Sequence, residues 1–447
     1  MSDPASMIKM RPLRIMKFGG TSVGDASSIR RVAEIVRNAA DESDLVVVVS
    51  AMAGVTNKLI EAAARSEAGD LSAAEAIFAA LRAQHDSALN SLVQCPGPRT
   101  AIHSKMQDCY EQGEQLCKRG QSLRELSLKD RDLISSLGER LCAPLVAAAL
   151  TASGVESEAI DATEIVVTDS CHGAANPCVD ATRERCQERI EKLLQQGIVP
   201  VVTGFIGATS EGVLTTLGRG GSDYSATILG AALGADEVII WTDVDGLMTA
   251  DPRTVAEACT IPEISYREAA ELARFGAKVL HPKTLRALTQ CGIPLWIRNT
   301  FAPHLPGTRI TPAGPAIPGV VKGLTAMLRC EAAQEPGHKS EEEDATLDAT
   351  AAILTVVGTD IHGTGAAARM LGALSLAQVN VVAMFEGAHG CSLSVVIART
   401  DKTTALAALH REFQLGETLW PALSAASPAV ATAAPYYQSE PAPADGD

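Results

Sequence analysis

The sequence predicts an α/β fold, with helices on both faces of a mostly parallel sheet and a small α+β unit after it. Three observations carry that prediction. Short apolar runs rich in valine and isoleucine alternate with stretches of helical periodicity. The runs end in glycine or acidic loops. Beyond residue 311 the order changes to strand, helix, strand, strand, helix. A chain of 447 residues has room for two or three domains with an ample core in each.

Taken in order, residues 13–18 form an apolar strand ending in Lys17-Phe18-Gly19-Gly20-Thr21-Ser22, and residues 27–37 read as a helix. Residues 45–49 are almost pure valine, as suits a strand buried on both faces of a parallel sheet, and they close on Ser50-Ala51-Met52-Ala53-Gly54-Val55-Thr56. Helical patterning dominates 72–150, where Gly138-Glu139-Arg140-Leu141 opens a strongly apolar stretch. Residues 159–162 and 165–169 read as strand ends, 180–196 as an amphipathic helix and 198–205 as the next buried strand. The strand at 237–241 delivers Thr242-Asp243-Val244-Asp245-Gly246, with Asp251-Pro252-Arg253 just beyond. Residues 265–274 are helical, a further helix begins within 275–284, and 294–298 is a strand.

A proline- and glycine-rich linker at 311–315 separates a first domain, 1–312, from a second, 320–415. Strands at 320–328, 351–357, 379–385 and 392–398, with helices at 365–377 and 402–413, make the second a four-stranded unit. An acidic loop at 331–346 interrupts it, and its composition, like that of the tail at 416–447, predicts disorder.

Composition narrows the function classes. A formal charge of −15, from 53 acidic against 38 basic residues, disfavours nucleic acid or an anionic membrane as the main partner. Aromatic residues make up 3% of the chain, too few for base-stacking platforms. The 11 cysteines are scattered, odd in number and without a C-x-x-C pair, which suits reduced thiols better than a disulfide framework or a zinc site. No apolar run approaches the roughly 20 residues of a membrane span, and residues 1–10 lack the apolar stretch of a secretion signal. The expectation is a soluble, cytoplasmic protein.

The candidate site begins at Thr215-Thr216-Leu217-Gly218-Arg219-Gly220-Gly221-Ser222-Asp223, a glycine loop closing onto a helix. Such a turn offers free N–H groups and a positive helix end to an anion; Arg219 adds a planar cation, Ser222 a hydroxyl and Asp223 a carboxylate. A plain loop capped by Ser222 or Asp223 is the second reading of the same residues. Neither a P-loop nor a G-x-G-x-x-G fingerprint is present, because Lys17 precedes Gly19-Gly20 instead of following a glycine loop. A lysine at a strand end suits neutralisation of nucleotide phosphates, although alone Lys17 also reads as an ordinary surface lysine. His281, before Pro282, reads as a packing residue at a helix start, and Asp243 and Asp245 as turn residues more than a metal pair.

Seven segments then stand in order: Lys17 to Val23, Ser50 to Thr56, Gly138-Glu139-Arg140, Gly218 to Asp223, Thr242 to Gly246 with Asp251-Pro252-Arg253, Phe275-Gly276-Ala277-Lys278-Val279-Leu280-His281-Pro282, and Arg298-Asn299-Thr300. Together they resemble the aspartate kinases over residues 13–310. Acetylglutamate, glutamate-5 and uridylate kinases share the superfamily without this combined set.

The resemblance implies a three-layer αβα sandwich of the amino-acid-kinase type. It implies ATP- and Mg²⁺-dependent phosphorylation of the side-chain carboxylate of L-aspartate to 4-phospho-L-aspartate, toward lysine, threonine and methionine. Lys17 and Asp223 would be catalytic, Lys17 on the transferring phosphoryl group and Asp223 as an organiser of charge. A carboxylate nucleophile with a pKa of about 4 needs no general base. Thr56, Glu139, Arg219 and Ser222 would hold aspartate. Gly19, Gly20 and the Ser50 turn would supply N–H donors to phosphate, and Thr242, Asp243, Arg253 and Lys278 would contact the nucleotide. No residue is assigned as a protein ligand to the metal. Met248 stands where the family commonly has tyrosine, which predicts weaker stacking at the adenine side.

Val356-Val357-Gly358, Gly363 to Leu371 and Val379-Asn380-Val381-Val382 resemble an ACT module, a ferredoxin-like amino-acid-binding unit; a small α/β domain without a ligand is the other reading. Aspartate kinases usually carry two such modules, the first inserted into the second. Here the 331–346 loop occupies the insertion point, and residues 385–392 depart from the usual polar sequence, so control by lysine or threonine is left open. The module implies a homo-oligomer, a dimer through the ACT unit. A non-catalytic amino-acid sensor is the alternative function, and Lys17, Glu139, Arg219, Asp223 and Lys278 together favour the enzyme.

Overall fold

The computed structural model describes residues 11–276, 280–315, 317–328, 351–387 and 390–416. The acidic loop at 331–346 and the tail beyond residue 416 lie outside these. The chain forms two compact units, one running to Asp243 and one starting at Val244. The expected linker at 311–315 therefore falls inside the second unit. The reason is packing: Ala250 and Val255 share a buried core with the C-terminal strands, and Lys322 is ion-paired at 2.8 Å to Glu268 with both side chains buried.

In the first unit β1 (Leu13–Phe18), β2 (Asp44–Val49), β3 (Ser157–Ile160), β4 (Val199–Thr203) and β7 (Glu237–Thr242) lie side by side in the order β3-β4-β2-β1-β7. Neighbouring strands among them pair in parallel. Val46, Val47, Val48 and Val49 are fully buried, so the valine run is selected by close packing on both faces. The helices follow from handedness. The connections from β1 to β2 and from β2 to β3 run one way along the sheet, and those from β3 to β4 and from β4 to β7 run the other way. Right-handed crossovers then place α1 (Ala26–Ala40) and α2 to α5 on one face. They place α6 (Val179–Cys186), α7 (Lys192–Gln195) and α8 (Gly221–Leu233) on the other. Contacts of α1 with α5 and of α6 with α8 agree. This is the three-layer sandwich the sequence predicts.

Four helices, α2 (Val55–Glu67), α3 (Leu71–Leu92), α4 (Pro96–Leu123) and α5 (Leu128–Ala152), fill the long β2–β3 connection. A capping box between Ser127 and Asp130 starts α5. This helix is long and apolar enough in composition to cross a membrane, but 72% of its apolar stretch is buried. It is the core helix of its layer. Two local expectations change. Residues 165–169 form no strand, only isolated bridges at Val167 and Thr168. The start of the glycine loop is instead a strand, β6 (Leu214–Thr216), paired antiparallel with β5 (Ile206–Ala208).

The second unit begins with β8 (Glu263–Ser265), α9 (Tyr266–Arg274), α10 (Pro282–Thr289), β9 (Leu295–Asn299) and β10 (Thr308–Thr311). His281 is the N-cap of α10, its side chain accepting from the Lys283 N–H, which is the helix-start role expected of it. A four-stranded antiparallel sheet follows in the order β11 (Val321–Leu328), β12 (Ala351–Gly358), β14 (Ser392–Ala398), β13 (Val381–Glu386). It carries α11 (Ala366–Leu376) and α12 (Lys402–Glu412). Strand β11 fills the fourth place, as the sequence predicts.

Candidate functional site

Strands β4 and β2 are neighbours whose following connections leave on opposite faces of the sheet, so a crevice opens at their C-terminal ends. The Gly204 N–H donates to the Val49 carbonyl at 2.9 Å across this point. A Cβ on Gly204 would lie 2.8 Å from the Ser222 Cβ, so only glycine lets the start of α8 come this close to the strand end.

The N-cap of α8 is Gly220, left-handed at φ +69°, and no side chain caps the helix. Ser222 and Asp223 sit inside the first turn and are not caps, which removes the plain capped-turn reading. The positive helix end faces forward, with Asp223 in the turn where a negative charge is favoured. Lys17, near the end of β1, is 7% exposed, and its Nζ lies 2.6 Å from Asp223 Oδ1. Far from an ordinary surface lysine, it is a buried cation aimed at the head of α8.

Glu139 lies in α5 and is 3% exposed. Its Oε1 accepts the Ala51 N–H at 3.1 Å, while Oε2 is buried without a hydrogen-bond partner among the described residues. Burial pushes the carboxyl up to about 8, against the opposing pull of the Ala51 N–H and the Lys17 charge. A buried acceptor of this kind lacks only a cationic donor. Thr56 stands half-buried in the first turn of α2, behind a left-handed Gly54. Arg219 is exposed at the loop tip.

The other expected residues divide. The Gly19 N–H donates to Trp241 O and the Ser50 N–H to Phe18 O, each at 3.1 Å. These two groups extend the strand pairing by one residue and are not free phosphate donors, which corrects that expectation. Gly20 opens a short 3₁₀ turn, Thr21–Val23, and a Cβ there would lie 3.1 Å from Ala51 O. Thr242 ends β7 and the exposed Asp243 follows it, their side chains 3.3 Å apart. In the second unit Arg253 forks onto Asp251, at 3.0 Å to Oδ1 and 2.8 Å to Oδ2. Asp245 accepts from Asn299, at the end of β9, at 2.6 Å. The Met248 sulfur accepts from Thr260 at 3.6 Å. Lys278 lies outside the described residues. Among those described, no three His, Cys, Asp or Glu residues gather as a metal site.

The model of the amino acid kinase family matches residues 12–299. The chain belongs to the amino acid kinase family. An ACT domain model matches residues 354–413. The chain is 37% identical to aspartokinase 1, chloroplastic, of Arabidopsis thaliana, over 66% of this chain and 52% of that one. It is 36% identical to lysine-sensitive aspartokinase 3 of Escherichia coli, over 67% and 64%. It thus spans about half to two thirds of the length of these relatives. Among solved structures it resembles E. coli aspartokinase III in complex with aspartate and ADP, with a TM-score of 0.76, 27% identity and coverage of 90% and 99%.

One residue of this amino acid kinase family member escaped the sequence reading. Asp132 is 3% exposed and gathers donors from two other segments. Its signal was the spacing: seven residues before Glu139 is two helical turns, so both carboxylates project from the same side of α5.

Proposed function

We propose that the protein is an aspartate kinase, transferring the γ-phosphoryl group of ATP to the side-chain carboxylate of L-aspartate. The observation that carries this reading is the pairing of two features at one crevice: the buried Lys17–Asp223 ion pair at the head of α8, and the buried, half-satisfied carboxylate of Glu139. The first suits a transferring phosphoryl group and the second an ammonium group. The likeness to E. coli aspartokinase III in complex with aspartate and ADP supports the same substrates.

In this reading Glu139 pairs with the aspartate ammonium, Arg219 grips a carboxylate through its planar fork, and Thr56 and Ser222 complete the grip. The reacting carboxylate is ionised at neutral pH. One of its oxygens bonds to the γ-phosphorus as the bond to the β–γ bridging oxygen breaks, and ADP leaves. Lys17 and the first turn of α8 stabilise the phosphoryl oxygens, and Asp223 holds Lys17 in place. Mg²⁺ fits a site of this kind because it binds chiefly through phosphate oxygens and water. Asp223, at the head of α8 beside Lys17, would be the carboxylate at hand for it, and the ion would supply charge neutralisation on the phosphates.

We assign residues 1–312 to catalysis and 320–415 to the ACT-like unit. A dimer through that unit is consistent with β13 as an edge strand whose Val382 and Phe385 are 69% and 39% exposed. Coupled ADP release with L-aspartate, L-glutamate and acetylglutamate tests the function. Turnover with L-aspartate is expected, and its absence refutes the reading.

A further inference from the structure

We propose that Asp132 is a positioning residue that fixes Arg219 relative to Glu139, and so sets the span over which an amino acid is gripped at its ammonium and carboxylate ends. The inference rests on the function proposed above. Asp132 lies on α5, two turns before Glu139, with its side chain 4% exposed. Both of its oxygens are in use. Oδ1 accepts the Thr216 hydroxyl at 2.6 Å and the Gly173 N–H at 3.1 Å. Oδ2 meets the His172 Nδ1 at 2.7 Å and the same Gly173 N–H at 3.2 Å.

These partners lead to the substrate loop. Thr216 ends β6, three residues before Arg219. Its carbonyl accepts the Ala175 N–H at 2.9 Å, and the neighbouring Thr215 hydroxyl meets that of Thr168 at 2.6 Å. Gly218 is left-handed at φ +80°, and a Cβ on it would lie 2.9 Å from Gly173 O. The segment 168–176 is therefore a brace behind the loop, and Asp132 ties both brace and β6 to the helix that carries Glu139. The chemistry calls for a carboxylate: three donors converge on it, and a carboxylate only accepts. An amide in its place would turn one N–H₂ group toward a donor and leave a buried group unmatched.

The brace acts on aspartate and not on the phosphoryl end, so a loose brace shifts one Michaelis constant. With the full chain, Asp132→Asn is expected to raise the KM for aspartate about tenfold or more, with the KM for ATP within about twofold. His172→Phe should do the same more weakly, and His172→Asn, whose amide nitrogen can stand where Nδ1 stands, should restore it. A purely structural loss would lower the active fraction, and with it kcat, while leaving the aspartate KM unchanged. Amide hydrogen exchange gives a second readout: Asp132→Asn and His172→Phe should speed exchange at 217–222 and leave β1 and β2 protected. Unchanged aspartate KM together with unchanged exchange at 217–222 overturns the inference. Absence of aspartate turnover in the unaltered protein would refute the function instead, and the exchange at 217–222 would still decide whether Asp132 positions the loop.

Discussion

Glu139 gives a prediction that can be worked through from its surroundings. Burial lifts its carboxyl from the ordinary 4.5 to about 8, and the substrate-free protein therefore carries a proton there at neutral pH. Holding the proton across that interval corresponds to about 5 kcal/mol, at roughly 1.4 kcal/mol for each pH unit. The folded protein keeps this proton to a higher pH than the unfolded chain does. Its contribution to stability is thus complete below pH 4.5 and is lost as the pH rises through 8. Glu139→Gln has nearly the same shape and no charge to desolvate. Denaturant unfolding from pH 5 to 8 should show the variant gaining on the unaltered protein by about 1.4 kcal/mol per pH unit. Aspartate binding adds a second signature, since its ammonium supplies the cation that Oε2 lacks and the proton leaves. Calorimetric titration with aspartate at pH 7, in buffers of different ionisation enthalpy, should report release of about one proton, falling toward zero near pH 9. Parallel stability curves for the two proteins, or binding heats independent of buffer, would refute the reasoning.

The ion pair at the head of α8 should respond to either partner. Lys17→Met is expected to lower kcat by about 10²–10³ and to destabilise the fold by about 3–5 kcal/mol, because Asp223 is left without its cation; steady-state kinetics and unfolding check both. Asp223→Asn keeps the shape but frees Lys17, and turnover unaffected by it would show that Asp223 organises nothing. Gly204→Ala should cost about 1–3 kcal/mol of stability by pressing on Ser222, with a raised KM for aspartate as the kinetic mark of a displaced α8. In the second unit, Lys322→Met should cost about 3–5 kcal/mol by stranding the buried Glu268 carboxylate, and adding Glu268→Gln should recover part of the loss in thermal unfolding.

Much of this was legible in the sequence. The strands β1, β2, β4 and β7 declare themselves as apolar, β-branched runs. The strand, helix, strand, strand, helix order after residue 350 is readable from periodicity, and β11 follows as the strand a balanced four-stranded sheet lacks. The glycine loop pointed to an anion site, and Lys17, Glu139, Arg219 and Asp223 were all named from their motifs. Periodicity and glycine placement are local properties, fixed by backbone sterics and side-chain burial within a few residues.

What the tertiary structure decided depends on partners far along the chain. The three-residue strands β5 and β6 are too short to show a period, and only their mutual pairing makes them strands. The Gly19 and Ser50 N–H groups looked free until Trp241 O and Phe18 O, from adjoining strands, took them up. Asp132 looked like one acidic residue among many, and its meaning came from His172 and Thr216, 40 and 84 residues away. The state of Glu139 was hidden for the same reason. A carboxylate's charge is set by how much water and which dipoles surround it, and those are supplied by the folded chain, not by its sequence neighbours.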